Sequence, residues 1–406
     1  MSWATMEEAL AAIAAGEFVL VLDDEDRENE GDLILAAEMA SPERIAFMVR
    51  HTSGLICAPI VGSRLDELGL PLMVLENTDS HETAFTVSVD AVHGTSTGIS
   101  AADRSTTIQA LVDSKTHPND LARPGHVFPL RYREGGVLVR PGHTEAAVDL
   151  ARLAGLTPAG VLCEVVNDDG TMARGEELQK FADEHNIPTI AIGDLVDYRW
   201  ATESLVTRET TASVPTEFGD FTAYGYRAAH DGSEQIALVR GEVAGRSGVL
   251  ARTHSECLTG DVFGSRRCDC GDQLRAALSA VAREGAGVVV YNRGHEGRGI
   301  GLLAKLEAYR LQDEGLDTVE ANLELGYPAD ARHYGISAQI LHDLKVGSVR
   351  LMTNNPDKII QLERMGIEVA ERVPIGIGAT EINGGYLAAK ASKLGHLIDE
   401  PGVTGE

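Results

Sequence analysis

GAGVVVYNRGHEGRGIGLLAKLEAYRLQDEG, residues 285–315, passes from a β-branched run through a glycine-rich loop into a helical pattern. VGSVRLMTNNPDKIIQLERMGI, residues 346–367, repeats that succession of strand, turn and helix. Such grammar restricts the second half to an α/β fold. The first half alternates in a similar way: MEEALAAIAAG reads as a short helix ended by Gly16, FVLVL as a buried strand, and GVLVRPGHT and AGVLCEVVNDDG as further apolar segments with turns. The expected fold class is α/β (mixed α+β), with two domains, each a mixed sheet with surrounding helices. After IPTIAIGDLVDYRW the composition shifts to ATESLVTRETTASVPTEFGDF, rich in Thr and Ser, which predicts domains at 1–199 and 200–406.

Length and composition narrow the function. A chain of 406 residues, 43% hydrophobic, can bury two full cores. No stretch approaches the roughly 20 apolar residues of a membrane span, and the N-terminus is acidic where a secretory signal is basic. A cytosolic protein without a membrane partner is expected. Five cysteines make no disulfide framework, so metal ligands or buried thiols are expected, and Cys57 and Cys163 lie in apolar runs that suit inert thiols. The net charge of -27 argues against a nucleic-acid partner. Residues 1–200 carry 14 basic and 33 acidic side chains, a net of -19, and the remaining 21 and 29 leave -8, so an anionic substrate is better tolerated in the second half.

Between Asp23 and Asp32 seven of ten residues are acidic. An acidic run is ordinarily a solvated loop, but FVLVL and LILAA bracket this one and place it at the ends of buried elements. In an extended chain Glu28, Glu30 and Asp32 project to one side. A row of carboxylates repels itself without a cation, and oxygen ligands favour Mg²⁺ or Mn²⁺. RPGHT, residues 140–144, follows GVLV, read as a strand, and exposes Arg140 and His143 on a turn, a cation for phosphate and an imidazole for a metal. ARPGHVFPL adds His126. Glu164 lies in the apolar strand LCEVV, where a buried carboxylate needs a partner or a raised pKa.

DDEDRENEGDL, HGTSTGISAADR, ARPGHVFPL, RPGHTEAAVDL and LCEVVNDDG together resemble 3,4-dihydroxy-2-butanone 4-phosphate synthase over essentially the whole first half. The resemblance implies ribulose 5-phosphate as substrate, with Mg²⁺ or Mn²⁺ held by Glu28 and His143. It implies sugar-phosphate contacts from Arg27, Glu28, Asp32, Arg140, Pro141, Gly142, His143, Thr144 and Glu164, and makes His126 and Glu164 catalytic. The substrate must lose a proton alpha to its ketone, rearrange and expel C4 as formate. A metal on its oxygens would stabilise each enediolate, while carboxylates and histidines shuttle protons.

ECLTGDVFGSRRCDCGD, residues 256–272, holds Cys257, Cys268 and Cys270. Their spacing fits neither a zinc ribbon nor a zinc finger. Three sulfur ligands with a fourth position open is the catalytic arrangement, because that position can hold a water whose pKa falls toward about 7. A structural site closed by His254 is the alternative. RTHSECLTGD sets Arg252, His254 and Glu256 beside the first thiol; H-x-E is similar to the zinc deaminases, whose histidine is a ligand and whose cysteines come as P-C-x-x-C, so deamination is the second reading. NRGHEGRGIGLL lies between strand and helix, where backbone N–H groups bind phosphate, and Arg293 and Arg298 add guanidinium forks.

HSECLTGDVFGSRRCDCG, GHEGRGIGL, DTVEAN, PADARHYG and TNNPDK jointly resemble GTP cyclohydrolase II over nearly the whole second half. The resemblance implies Zn²⁺ on Cys257, Cys268 and Cys270, and Mg²⁺ besides. It implies GTP contacts from Arg252, Thr253, His254, Ser255, Glu256, Gln273, Glu296, Gly297, Arg298, Tyr309, Thr318, Thr353 and Lys358. Asp330 becomes the proton acceptor and Arg332 the nucleophile on the α-phosphate; a guanidinium stays protonated below about pH 12, so electrostatic stabilisation explains the same arginine. His295 stands where many relatives have glutamine. The two halves together imply a bifunctional enzyme that makes both precursors of riboflavin, a homodimer through its first half. The alternative is that one half only supports the other.

Overall fold

The computed structural model describes residues 3–375, 384, 390–393 and 395–397; the end of the second expected domain, 398–406, lies outside the described residues. The chain divides into two compact units, 1–199 and 200–406, and the helix Ile192–Thr202 contains the division.

Among the described residues the first unit has strands β1 (Val19–Leu22), β2 (Gly31–Ala36), β3 (Cys57–Ile60), β4 (Val89–Ala91), β5 (Leu121–Arg131), β6 (Gly160–Glu164) and β7 (Thr189–Ala191). They form one mixed sheet in the order β4-β5-β3-β6-β2-β1-β7. Its central strands are apolar throughout because both faces are covered. Leu20, Leu33 and Leu35 point into one core with Ile45, Met48, Ile108 and Leu178. Their neighbours Val19, Val21 and Ile34 point into the other, with Met6, Ile13, Ala147 and Leu150. Helices Pro42–His51, Ala101–Val112 and Glu176–His185 supply the first layer, and Met6–Ala14 and His143–Leu153 the second.

GVLV before the RPGHT turn is not a strand. Residues Gly136–Leu138 form a single 3-10 turn, and positive φ at Gly135 (94°) and Gly136 (65°) is incompatible with extended backbone. A buried carboxylate holds that turn. Asp149, fully buried on the helix His143–Leu153, accepts hydrogen bonds from Tyr132 Oη (3.0 Å), Val137 N (2.9 Å) and Arg199 Nη1 (2.7 Å). Asp149→Ala would leave the Arg199 cation buried without this carboxylate. It is expected to destabilise the first unit by about 3–5 kcal/mol, measured by urea unfolding.

The second unit, among the described residues, carries β8 (Val206–Thr216), β9 (Gly219–Ala228), β10 (Glu234–Arg240), β11 (Val249–Ser255), β12 (Gly287–Asn292), β13 (Val349–Met352) and β14 (Val369–Val373) in one sheet. The order is β14-β13-β11-β12-β10-β9-β8. β14, β13, β11 and β12 run parallel, and β10, β9 and β8 continue as an antiparallel meander. Helices Cys270–Glu284 and Pro356–Arg364 pack on the parallel half, Gly335–Asp343 lies against both β12 and β8, and Leu302–Asp313 packs on the helix Thr318–Glu324. The Thr-rich stretch after residue 200 is β8, an edge strand whose side chains are mostly exposed, and its polarity is what an unpaired sheet edge requires.

Candidate active sites

The acidic segment of the first unit is a turn instead of an extended row. Asn29 takes a positive φ of 55°, and Asp23 holds the turn together: its carboxylate accepts from Arg27 Nη1 (2.9 Å), Glu28 N (3.0 Å) and Glu30 N (2.9 Å). Glu30 is thereby turned toward Arg174, 3.9 Å away. Glu28 and Asp32 instead converge on His143, at 3.6 and 3.8 Å from its Nδ1.

His143 opens the helix His143–Leu153 and is buried. Its Nε2 lies 3.1 Å from the carbonyl oxygen of Val21. A carbonyl can only accept, so Nε2 carries the hydrogen and the neutral ring turns an Nδ1 lone pair toward two carboxylates. That arrangement repels itself unless a proton or a metal cation lies between. Burial opposes the protonated ring, but Asp32 and Glu28 override it and lift His143 to about 9. Burial likewise opposes ionisation of Glu28, yet the bond to His143 and the Arg27 charge bring it to about 2. Asp32 is pushed up to about 7, by burial foremost, against the pull of His143 and with Glu164, Glu28 and Glu30 adding to it. Its Oδ1 is buried without a hydrogen-bond partner. Asp23, Glu28 and His143 bring ligand atoms within 4.8 Å of one another. Donors of this type suit Mg²⁺ or Mn²⁺.

Glu164 is the last residue of β6 and only half-buried, so the expected interior carboxylate is Asp32. The strand register places Glu164 directly across from Asp32, and Ser53 Oγ donates to it at 2.7 Å. Arg27 and Arg140 flank Gly142: a Cβ there would stand 3.0 Å from Arg27 Nη2 and 2.6 Å from Arg140 Nη1. Together with Thr144 in the first helical turn they form an anion-attracting corner. Arg140 also donates to Glu145 (2.7 Å) and the His81 carbonyl (2.9 Å).

His126 stands apart. Phe128 and Leu162 both pair with Cys57 of β3, so His126 and Glu164 lie at one end of the sheet on opposite sides of β3, roughly 10 Å apart by strand spacing. Asp90 fixes the ring, its carboxylate lying 2.7 Å from Nδ1 and accepting from His126 N at 2.9 Å. Gly98 packs on this pair with φ 91°, and a Cβ would come 2.0 Å from Asp90 Oδ2. Gly98→Ala is expected to separate Asp90 from His126 and to lower the activity of the first unit about a hundredfold, with that of the second unit unchanged, in parallel product assays.

The second site lies beyond the carboxyl ends of β11, β12 and β13, where open parallel sheets receive their ligands. β11 delivers Arg252, Thr253, His254 and Ser255, followed by Glu256 and Cys257. The three free thiols Cys257, Cys268 and Cys270 form one cluster, their sulfurs within 4.8 Å of one another. Cys257 and Cys268 Sγ are 3.6 Å apart; two sulfurs about 2.3 Å from a tetrahedral zinc lie about 3.8 Å apart. Hydrogen bonds from the other thiols, with the Lys305 ammonium behind them, hold Cys257 far below the usual thiol range. His254 is not part of the cluster among the described residues. Its Nε2 faces both Asp261 oxygens at 3.1 Å, and Asp261 also accepts from Cys257 N at 3.0 Å.

Cys257, Cys268, Gly297, Arg298, Tyr309 and Thr318 line one cavity, and Arg252, Thr353, Lys358, Lys390 and His396 line a second, adjacent one. Ser255, Cys270 and Arg332 line both. Arg252 Nε, His254 Nδ1, Arg298 Nη2 and Asn322 Nδ2 are buried without partners, hydrogen-bonding capacity left for a ligand. Gln273 joins Arg252 (2.6 Å) to Asp269 (2.5 Å), which pairs with Lys390 at 2.8 Å. Lys358 donates to the Thr253 carbonyl at 2.8 Å, and burial foremost, then Arg252 and Arg332, drives it well below its ordinary value. Asp330 and Arg332 form a two-pronged ion pair. Burial opposes the Asp330 charge, but Arg332 holds its carboxyl below the usual range. His295 is pushed down to about 3 by burial foremost, then by Arg332 and Lys358, so its ring is neutral. Arg293 reaches Glu234 at 3.5 Å and is exposed, which removes it from the anion site.

Glu296 has its carboxylate committed to Lys305 and to Leu258 N (2.6 Å). Asp90, Asp261, Lys305 and Lys390 are site residues that sequence reasoning missed. Nothing in their local patterns marks them; strand pairing or helix position alone brings each to its site.

Two mixed α/β units, one with a carboxylate–imidazole cluster and one with a trithiolate beside a cation-lined pocket, define a two-domain enzyme. Residues 7–198 match the family model of 3,4-dihydroxy-2-butanone 4-phosphate synthase and residues 207–374 that of GTP cyclohydrolase II. The chain belongs to the family of bifunctional riboflavin biosynthesis enzymes that join these two activities. It is 59% identical over 394 residues to the riboflavin biosynthesis protein RibBA of Nocardia farcinica, covering 97% of this chain and 95% of that one. It is 60% identical over 398 residues to the RibBA of Salinispora arenicola, covering 98% and 95%. Among solved structures, RibBX of A. baumannii, described as a two-domain 3,4-dihydroxy-2-butanone 4-phosphate synthase, is similar with a TM-score of 0.69 and 38% identity, over 86% of this chain and 94% of that chain. No helix among the described residues is long and apolar enough to cross a membrane.

Proposed function

We propose that the first unit converts ribulose 5-phosphate to 3,4-dihydroxy-2-butanone 4-phosphate and formate at the Glu28–Asp32–His143 cluster. The second hydrolyses GTP to 2,5-diamino-6-ribosylamino-4(3H)-pyrimidinone 5′-phosphate, formate and pyrophosphate beside Cys257. The observation that carries the second assignment is that the cavity of the three thiols shares Ser255, Cys270 and Arg332 with a neighbouring cavity lined by Arg252, Lys358 and Lys390. Chemistry at guanine and recognition of a triphosphate are thus adjacent. For the first, it is the Nδ1 of His143 aimed at Glu28 and Asp32.

Glu28 and His143 would hold Mg²⁺ or Mn²⁺, which supplies positive charge to stabilise an enediolate. Arg27, Arg140 and the helix N-terminus at His143 and Thr144 orient the substrate phosphate, with Pro141 and Gly142 shaping the turn. Asp32 and Glu164, neighbours across the strand pair, move protons on one face of the substrate, and His126 serves at the far side of β3.

In the second unit Cys257, Cys268 and Cys270 would hold Zn²⁺, which supplies Lewis acidity to activate water at neutral pH. Arg298 Nη2 and Asn322 Nδ2 offer donors to the nucleotide, and Thr318 and Tyr309 close that side. Arg252, Lys358 and Thr353 receive the phosphates, with Mg²⁺ accompanying the triphosphate. Asp330, ionised beside Arg332, accepts a proton, and Arg332 stabilises charge on the α-phosphate while remaining a protonated guanidinium. The protein works in the cytosol as a homodimer; its five free cysteines suit a reducing compartment. Zinc-loaded protein given GTP is expected to release formate and pyrophosphate. Ammonia without formate would replace this reading with deamination.

A further inference from the structure

We propose that Lys305 is a positioning residue for the second reaction, one that sets the electron donation of Cys257 to its metal; this rests on the zinc reading of the cysteine cluster. Lys305 sits on the helix Leu302–Asp313 and is buried. Its ammonium has three donors, and each has an acceptor: Cys257 Sγ at 3.1 Å, Thr259 Oγ1 at 3.0 Å, and the Glu296 carboxylate. Thr259 Oγ1 is itself 3.2 Å from Tyr309 Oη, and the ammonium lies 5.6 Å from the Tyr309 ring centre. An ammonium held at three points has one orientation, and in that orientation an N–H is aimed at a ligating sulfur.

The chemistry makes that contact consequential. Three thiolates on a divalent ion leave the centre with a net negative charge, and electron donation from sulfur weakens the ion as a Lewis acid. A charge-assisted N–H···S bond withdraws density from one sulfur. Glu296 cancels the ammonium's charge at a distance, so the effect on Cys257 is local and directional. The same ion pair ties the loop of Gly297 and Arg298 to the loop of Cys257 through Leu258 N. An ordinary buried ion pair needs no sulfur acceptor.

The test uses the full-length protein with cobalt(II) in place of zinc, because the sulfur-to-cobalt charge-transfer band reports thiolate electron density directly. Lys305→Met is expected to move that band to longer wavelength while the visible bands of tetrahedral cobalt persist, and Lys305→Arg, which restores an N–H donor, is expected to move it back. On zinc-loaded protein Lys305→Met should lower kcat for GTP about 10- to 100-fold, with KM changing less. Should Lys305→Met not take up cobalt, Thr259→Val, which removes a neutral anchor of the ammonium at 3.0 Å and loosens its hold on the sulfur, is read in the same way. A band unmoved in the variant that binds cobalt overturns the role of Lys305. Absence of any sulfur-to-cobalt band in the wild-type protein overturns the zinc reading itself.

Discussion

Cys257→Ser is expected to strip zinc from the second unit and reduce GTP turnover to below roughly one-thousandth, since unassisted water has a pKa of about 15.7 and is not a nucleophile at neutral pH. A serine hydroxyl is a poor substitute for a thiolate that accepts a bond from Lys305 and stands 3.6 Å from Cys268. Two remaining thiols cannot complete the set, and His254 cannot replace the third, because Asp261 holds its Nε2 within the β11 wall. Zinc per chain by metal analysis should fall from near one to near none. Butanone phosphate formation in the same sample should stay within about twofold of wild type, since the substitution lies in the other unit. Zinc retained at full stoichiometry would show that the cluster is not the metal site.

Glu28→Gln is expected to have the second largest effect, in the other direction across the chain. It keeps the size of the side chain and removes the charge that His143 Nδ1 faces at 3.6 Å. Loss of a divalent cation from an enediolate forfeits several kcal/mol of stabilisation, so butanone phosphate formation should drop about a hundred- to a thousandfold. GTP turnover should be unaffected. Titration with Mn²⁺, followed by its electron paramagnetic resonance signal, should show weaker binding in the variant; unchanged Mn²⁺ affinity with unchanged product would remove Glu28 from the metal site.

The α/β class was legible because alternate residues of FVLVL and LILA enter opposite cores, which requires unbroken apolar runs. The three cysteines were legible through chemistry, since three thiols in 14 residues have few other uses. What escaped depended on backbone and pairing. Asn29 and Gly136 take positive φ, so the acidic row and the GVLV strand expected from periodicity become turns. Asp23 looked like one more carboxylate of the cluster and also knots the loop. Asp90 meets His126 only through the pairing of β4 with β5, 36 residues apart in sequence. Lys305 occupies an ordinary position in AKLEAYR, and nothing in that heptad announces a sulfur at 3.1 Å.

The central claim is that both units of one chain are active. Formate released by a single purified preparation measures it most directly, with ribulose 5-phosphate and Mg²⁺ in one arm and GTP with zinc-loaded protein in the other. Formate in step with butanone phosphate in the first arm, and with pyrophosphate in the second, is the expected result. Formate from only one substrate would contradict it and make the silent unit a scaffold for the other.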